Sequence, residues 1–399
     1  MPTTAPTNPR EWLAAARAQD TARIRELLDN GADPNTRDRL SNHALNEAAS
    51  RGSTEVLSLL LRHGANPDLQ GRRGHTPLMC AAISGHTAIV RLLLANRADP
   101  NAQDRNENTG LIWATYHGNT EIVALLLANG ADPSLRDQSG GNSLMLAATQ
   151  GRVEIVRLLL TDGVDPNVQD AYGNTALIRA TRQNRVEVAR LLLANRADPN
   201  RQTMDGYTAL LYAAEKDFVD IVGILLTSGA DPNTLLRPNR TVLASVASGD
   251  HVGTLSVLSN IGTDPNIQHH DEYTALMWAA LFGHVEVSNV LLTNGADPNL
   301  QCENGCTALI WAAQKGRTTV VQVLLANRAS SHLRDTHGWT ALSWAVRSGH
   351  DAVANMLLHA HAEHFSHYSD LPLAVVGDKA MKKVLQDMTT GSSKRKVRT

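Results

Sequence analysis

The sequence predicts an all-α solenoid of about eleven or twelve helix-turn-helix units, counting both caps, joined by short hairpin turns. Two repeated words and the spacing between them predict it. The first word, Gly-Ala-Asp-Pro-Asn, stands whole at Gly31, Gly229 and Gly295. Variants begin at Gly64, Arg97, Gly130, Gly163, Arg196 and Gly262, and weaker ones at Arg328 and His361. The second word is built on Leu45, Leu78, Leu111, Leu144, Leu177, Leu210, Leu243, Leu276, Leu309 and Leu342. Thr stands two residues before most of these leucines, and a small Ala-Ala or Ala-Thr pair usually follows. Both words keep one period of 33 residues from 31 to 361, with no insertion or deletion. A fixed period of this length marks a stacked repeat architecture.

Each element of one unit has a local cause. In the stretch His75 to Asn101, Thr76 is a good helix N-cap and Pro77 takes the first helical position, where its missing N–H costs nothing. Leu78, Ala81 and Ala82 then give a short helix with one apolar face, and the alanines let a neighbouring helix approach closely. Gly85 breaks that helix. Ile89, Val90, Leu92, Leu93 and Leu94 form the stripe of a second helix. A glycine such as Gly130 then suits a left-handed helix end, and the Asp-Pro that follows prevents continuation. Where Arg97, Arg196, Arg328 or His361 replaces that glycine, a left-handed residue costs about 1 kcal/mol. Those four loops are therefore expected to differ from the rest. Neither helix covers its own stripe, so neighbouring units must do it.

The unit T-[PA]-L-x-x-A-A-x-x-G-[HRN]-x-x-[IV]-V-x-L-L-L-x-x-G-A-D-P-N resembles the ankyrin repeat. The resemblance covers roughly residues 9 to 370, and HTPLMCAAISGHTAIVRLLLANRADPN is the nearest copy. The family's usual His after T-P-L is absent; Met79, Ile112, Met145, Ile178, Met277 and Ile310 stand there. That departure bears on local hydrogen bonding and not on the fold. The array is expected over residues 9–388, with disordered tails at 1–8 and 389–399. Its first repeat is worn (Trp12, Leu13, Ile24, Leu27, Leu28) and its last is shortened (Leu371 to Leu385), with Lys382 and Lys383 outermost.

Composition removes several classes of function. With 37 basic against 39 acidic residues, nothing global attracts nucleic acid or an anionic membrane. No apolar run approaches the roughly 18 residues of a membrane-spanning helix, and no secretory signal is visible. Three cysteines make no disulfide framework, so a cytoplasmic, reducing location is the default expectation. An array without insertions leaves no room for a closed catalytic pocket, and none of the common nucleotide-binding, hydrolase or zinc-protease motifs occurs. The expectation is a non-enzyme without cofactor or metal.

One Cys/His group needs weighing. Cys302 and Cys306 share a turn, with His269 and His270 one repeat before and His337 one repeat after. Zinc needs four ligands at about 2.0–2.3 Å. Turns about 10 Å apart converge poorly, so surface thiols and imidazoles in loops are expected. The later histidines His359, His361, His364 and His367 follow the expected end of a helix and read as solvent-exposed.

The informative positions are those the fold leaves open. The resemblance implies that the turns and the outer face of the first helix line a binding groove. The residues just before each Thr include Tyr207, Tyr273 and Trp339; those two after each Leu include Trp113, Tyr212, Trp278, Trp311 and Trp344. With Phe282, the aromatics gather from the seventh repeat onward. Five of them (Trp278, Trp311, Trp339, Trp344, Phe282) come from only six Trp and three Phe in the chain. Such a concentration reads as a binding hot spot, with packing between first helices as the competing reading. The amino half carries Arg51, Arg72, Arg73, His75, Arg105, Arg179, Arg182 and Arg185 instead, which would suit an acidic partner segment or a simply solvated face. The expected function is a monomeric scaffold or adaptor that holds a segment of another protein, with no membrane role and no nucleic acid. A bacterial or viral effector acting on host proteins in the host cytosol, or a nuclear cofactor using the basic tail Lys394, Arg395, Lys396 and Arg398, is the alternative.

Overall fold

The computed structural model describes residues 9–39, 42–236, 240–268 and 271–362. The shortened last repeat, Lys382, Lys383, both tails and His364 and His367 lie outside the described residues, as do His269 and His270. The chain forms two compact units, 1–204 and 205–399.

The amino-terminal unit is a stack of helix pairs. Its first helices are α1 (Pro9–Ala18), α3 (Ala44–Arg51), α5 (Pro77–Ser84), α7 (Gly110–His117), α9 (Ser143–Gln150) and α11 (Ala176–Arg182). Their partners are α2 (Thr21–Asp29), α4 (Thr54–Arg62), α6 (Thr87–Ala95), α8 (Thr120–Ala128), α10 (Val153–Thr161) and α12 (Val186–Ala194). A single 3₁₀ turn, Arg72–Gly74, precedes α5. Each first helix packs on the next first helix, and second helices stack likewise. The worn first repeat is real: Trp12, Leu13, Ile24, Leu27 and Leu28 are buried.

The carboxy-terminal unit repeats the pattern. Its first helices are α13 (Ala209–Glu215), α15 (Val242–Gly249), α17 (Ala275–Phe282), α19 (Ala308–Gln314) and α21 (Ala341–Arg347). The second helices are α14 (Val219–Thr227), α16 (Val252–Asn260), α18 (Val285–Thr293), α20 (Thr318–Ala326) and α22 (Asp351–Ala362). One hairpin before α15 pairs two short strands, β1 (Leu235–Leu236) with β2 (Arg240–Thr241).

The leucine word is the core: Leu78, Leu111, Leu144, Leu177, Leu210, Leu276 and Leu309 are buried, with the Ala pairs beside them. The threonines are N-caps, as their spacing predicts. Thr76 accepts from Met79 N–H at 3.3 Å, and Thr109, Thr175, Thr208, Thr241, Thr274, Thr307 and Thr340 cap in the same way. Units are also stapled through polar side chains. His86, Arg185, His251, His284 and His350, at the start of second helices, donate to carbonyls 36 residues earlier at 3.0–3.3 Å. Asn101, Asn167 and Asn266 accept from the backbone N–H 31 residues later and donate to the carbonyl 29 residues later.

The expectation of altered loops is corrected at three of its four positions. Arg97, Arg196 and Arg328 adopt φ of 62°, 66° and 64°, in the same left-handed region as Gly130 at 82°. Arg97 N–H reaches Leu94 and Ala98 N–H reaches Leu93, just as Gly130 and Ala131 reach Leu127 and Leu126. The surrounding turn therefore imposes its shape on a strained arginine. Only at His361 does the backbone differ, because α22 continues through it to Ala362. Arg97→Gly and Arg196→Gly should each raise stability by up to about 1 kcal/mol, less the glycine's extra unfolded-state entropy. Denaturant melts should move upward; a downward shift would show that the arginine stems contribute packing there.

Candidate functional site

The exposed edge of each repeat is a hairpin turn, and in half of the repeats an aspartate stands at its start. In the hairpin Asp104–Asn108, Asp104 N–H donates to Asn108 C=O at 2.9 Å. The Asp104 carboxylate accepts from the N–H of Asn106 at 2.8 Å and of Asn108 at 2.9 Å. Asp137, Asp170 and Asp335 hold their own +2 and +4 N–H groups at 2.8–2.9 Å in the same way. In three of these hairpins the second carboxylate oxygen takes a donor nine residues on, from the first helix. Trp113 Nε1 donates to Asp104 at 3.0 Å and Trp344 Nε1 to Asp335 at 2.8 Å. Arg179 grips Asp170 with Nε at 3.1 Å and Nη2 at 2.7 Å. Trp113, Arg179 and Trp344, each two after its Leu, are thus tied down by their own hairpins.

That tie settles part of the aromatic question. Tyr207, Tyr212, Tyr273, Trp278, Trp311, Trp339 and Trp344 are all half-buried, neither free groove rings nor full core. They pair between turn and helix within one repeat. Tyr207 stacks on Tyr212 at 4.7 Å, Tyr273 meets Trp278 at 5.1 Å, and Trp339 meets Trp344 at 5.1 Å. Tyr273 also reaches Trp311 of the following repeat at 5.6 Å. Trp278 stacks on Phe282 at 6.0 Å, and Phe282 is 44% exposed. The Arg347 guanidinium lies 4.5 Å over Trp339 and 5.6 Å from the Trp344 ring. The repeat at Arg240 and Ser245 carries no ring at these two positions, which sets Tyr207 and Tyr212 apart from the rings that follow. Burial, together with the neighbouring Cys302, Cys306 and Asp271, pushes the Tyr273 hydroxyl up to about 12, so this ring is neutral at every physiological pH.

The amino-terminal arginines divide. Arg179 is consumed by Asp170, whose side chain is inaccessible to solvent, so it is not available to an acidic partner. Arg72, Arg73 and Arg105 are exposed on adjacent hairpins, and none forms an ion pair among the described residues. Arg105 N–H donates to Arg73 C=O at 3.1 Å, which places the two hairpin tips side by side. The same unit holds an aromatic cluster that sequence reasoning did not single out as a site. His75 meets Trp113 edge-on at 5.4 Å, and Trp113 meets Tyr116 at 6.1 Å and His117 at 6.3 Å. Tyr116 is 52% exposed. The signal was available, since Trp113 occupies the lattice position of Trp278, but Tyr116 lies off the two positions followed. Tyr172 and Met204, at successive hairpin tips, are also exposed, and no repeat word marks them.

The thiols are a further correction. Cys302 and Cys306 are buried, at 3% and 7% exposure, because the hairpin before them and the one after close over their own. His359 sits on α22 rather than beyond a helix end, and it is exposed.

The family described as ankyrin repeats in sets of three copies matches residues 12–104, 96–170, 144–235, 235–302 and 288–367. The chain belongs to the ankyrin-repeat family. Ankyrin repeats are generally protein–protein interaction modules, typically without catalytic activity, so protein partners are implied. No curated protein matches the chain. No helix among the described residues of this ankyrin array is long and apolar enough to cross a membrane. Among the same residues, no group of three or more His, Cys, Asp or Glu side chains is placed to hold a metal ion.

Proposed function

We propose that this ankyrin array is a non-enzymatic scaffold that holds a segment of a partner protein along the hairpin and first-helix face of its carboxy-terminal unit. The observation that carries this reading is the cluster Tyr273, Trp278, Phe282 and Trp311. Four rings from two adjacent repeats meet at one surface, with Phe282 44% exposed at its edge. A ring already supported by its neighbours loses little conformational freedom on binding, which is what hot-spot residues require. Trp339 with Arg347 continues the same lattice row and adds a cation beside a ring. On the amino-terminal unit, exposed Arg72, Arg73 and Arg105 suit acidic residues of a partner.

The test is capture by the full chain from a lysate of its source, compared with Phe282→Ala and Trp339→Ala. Each truncation should weaken binding of a purified partner by about 30-fold, from ~2 kcal/mol per hot-spot ring at ~1.4 kcal/mol per decade. The melting midpoint should move little for Phe282→Ala, whose ring is already part-exposed. Unchanged affinity in both variants would move the interface elsewhere, with Arg72→Glu and Arg105→Glu as the next pair to measure.

A further inference from the structure

Trp339 and Trp344 show what one ring pair of this array takes. The hairpin ring lies 5.1 Å from the helix ring, and the Arg347 guanidinium covers both, 4.5 Å from Trp339 and 5.6 Å from Trp344. Both distances fall within the roughly 6 Å over which a ring face attracts a cation. Tyr273 and Trp278 occupy the same two positions two periods earlier, and they too lie 5.1 Å apart. Here the chain supplies no arginine. Leu281 stands at the Arg347 position of that repeat, and Gln314 stands there in the repeat between. Two further rings extend the set instead: Phe282 stacks on Trp278, and Trp311 of the next repeat meets Tyr273.

The charge beside this second ring set is negative. Asp271 and Glu272 directly precede Tyr273 on its hairpin, and both are exposed. Glu303 N–H donates to Asp271 C=O at 3.3 Å, which brings a third exposed acid onto the neighbouring tip. Glu272 and Glu303 make no ion pair among the described residues. Of the cations on the next repeat, Arg317 donates to Leu281 C=O at 3.4 Å. Among the described residues, neither Arg317 nor Lys315 covers a ring. The tip beside Trp339 differs: its exposed residues are Thr336 and His337, without an acid, and there the cation is internal. Ring faces and carboxylates attract the same species, so the set around Tyr273 calls for a positive charge from outside.

We infer that the face of Tyr273, Trp278, Phe282 and Trp311 receives an arginine side chain of the partner segment, an assignment that rests on this face being the binding one. The incoming guanidinium takes the part that Arg347 plays for Trp339 and Trp344, with Glu272 and Glu303 as its counter-charges. Arginine suits the place better than lysine, because its planar fork stacks on a ring while its edge still donates to carboxylates. The two units then differ in preference. Exposed Arg72, Arg73 and Arg105 of the amino-terminal unit favour acidic residues, and this face of the carboxy-terminal unit favours a basic one.

The experiment pans a phage-displayed library of random dodecapeptides on the full chain. Selected peptides should share an arginine. The strongest is then resynthesised with citrulline in place of that arginine, which keeps the shape and removes the charge. The citrulline peptide should bind about 10-fold more weakly. Glu272→Gln combined with Glu303→Gln should weaken the arginine peptide by about the same factor and leave the citrulline peptide unchanged. Phe282→Ala should weaken both peptides. Loss of binding in Phe282→Ala, with indifference to citrulline and to the two glutamines, would overturn the arginine and leave the binding face standing. Peptides indifferent to Phe282→Ala would overturn the face and the arginine together. An empty selection, or one with no shared arginine, would also overturn it. Selection only on a chain lacking residues 389–399 would assign the face to the chain's own basic tail and overturn the partner's arginine.

Discussion

Leu144→Ala is expected to loosen the amino-terminal unit around α9 while leaving its far end folded. Leu144 is 1% exposed on α9, which packs on α7, α10 and α11. Truncation removes buried methyl groups and leaves a cavity, at a cost of ~2–5 kcal/mol. In a stack where each repeat touches only its neighbours, that loss is not shared evenly. Hydrogen exchange should quicken first in α9 and α10, then in α7 and α11, with α3 and α4 retaining protection under the same conditions. Uniform acceleration from α1 to α12 would mean that the unit unfolds as one cooperative body, and the nearest-neighbour account would fail.

The second large effect belongs to Asp170. Its carboxylate accepts from the N–H groups of Tyr172 and Asn174, from the Asn174 side chain and from both arms of the Arg179 fork. Asp170→Ala leaves those donors without an acceptor and Arg179 without its counter-charge. Removing one partner of a buried pair costs about 3–5 kcal/mol. The Arg179 side chain keeps 23% exposure, which puts the expected loss at the lower end, about 3 kcal/mol. Denaturant titration of the variant measures it, and a loss under about 1 kcal/mol would show that water replaces the carboxylate freely.

The same site sets a pH dependence with a definite sign. Burial pushes the Asp170 carboxyl up, but Arg179 and the N–H groups of Asn174 and Tyr172 together hold it below the usual carboxylate range. A depressed native value means that the unfolded chain takes up the proton first as acid is added. The stabilisation is thus fully present above about pH 4, the ordinary aspartate value, and is lost as pH falls through the lower native value. Asp170→Asn should be less stable than the parent at neutral pH and lose less on acidification below pH 4.

The parts of this protein that could be read in advance depend on short stretches of chain. Thr76 caps a helix because its hydroxyl reaches an N–H three residues on, and Leu78 is buried because its helix has one apolar face. Repetition every 33 residues carried those local decisions through the whole described array. The candidate site was less legible. Trp113, Arg179 and Trp344 looked like open-face residues, yet each reaches back nine positions to a hairpin aspartate. Nothing in the repeat words announces that link, since it needs the hairpin folded over the helix that follows it.

The sequence by itself determined the helix pairs, their caps, their buried faces and the lattice on which every repeat is placed. Those follow from contacts within one unit and from exact periodicity. Tertiary structure alone decided which lattice side chains remain available. It paired Arg179 with Asp170, half-buried Tyr207, Tyr212, Tyr273 and Trp311 against neighbouring rings, and imposed a left-handed backbone on Arg97, Arg196 and Arg328. It also buried Cys302 and Cys306, which the sequence alone placed in surface loops. The physical reason is that solvent access and charge pairing are properties of the assembled stack. Within each compact unit neighbouring hairpins bond tip to tip, as Arg105 does to Arg73 and Thr336 to Asn304, so the environment of a side chain there is set by residues about 33 positions away.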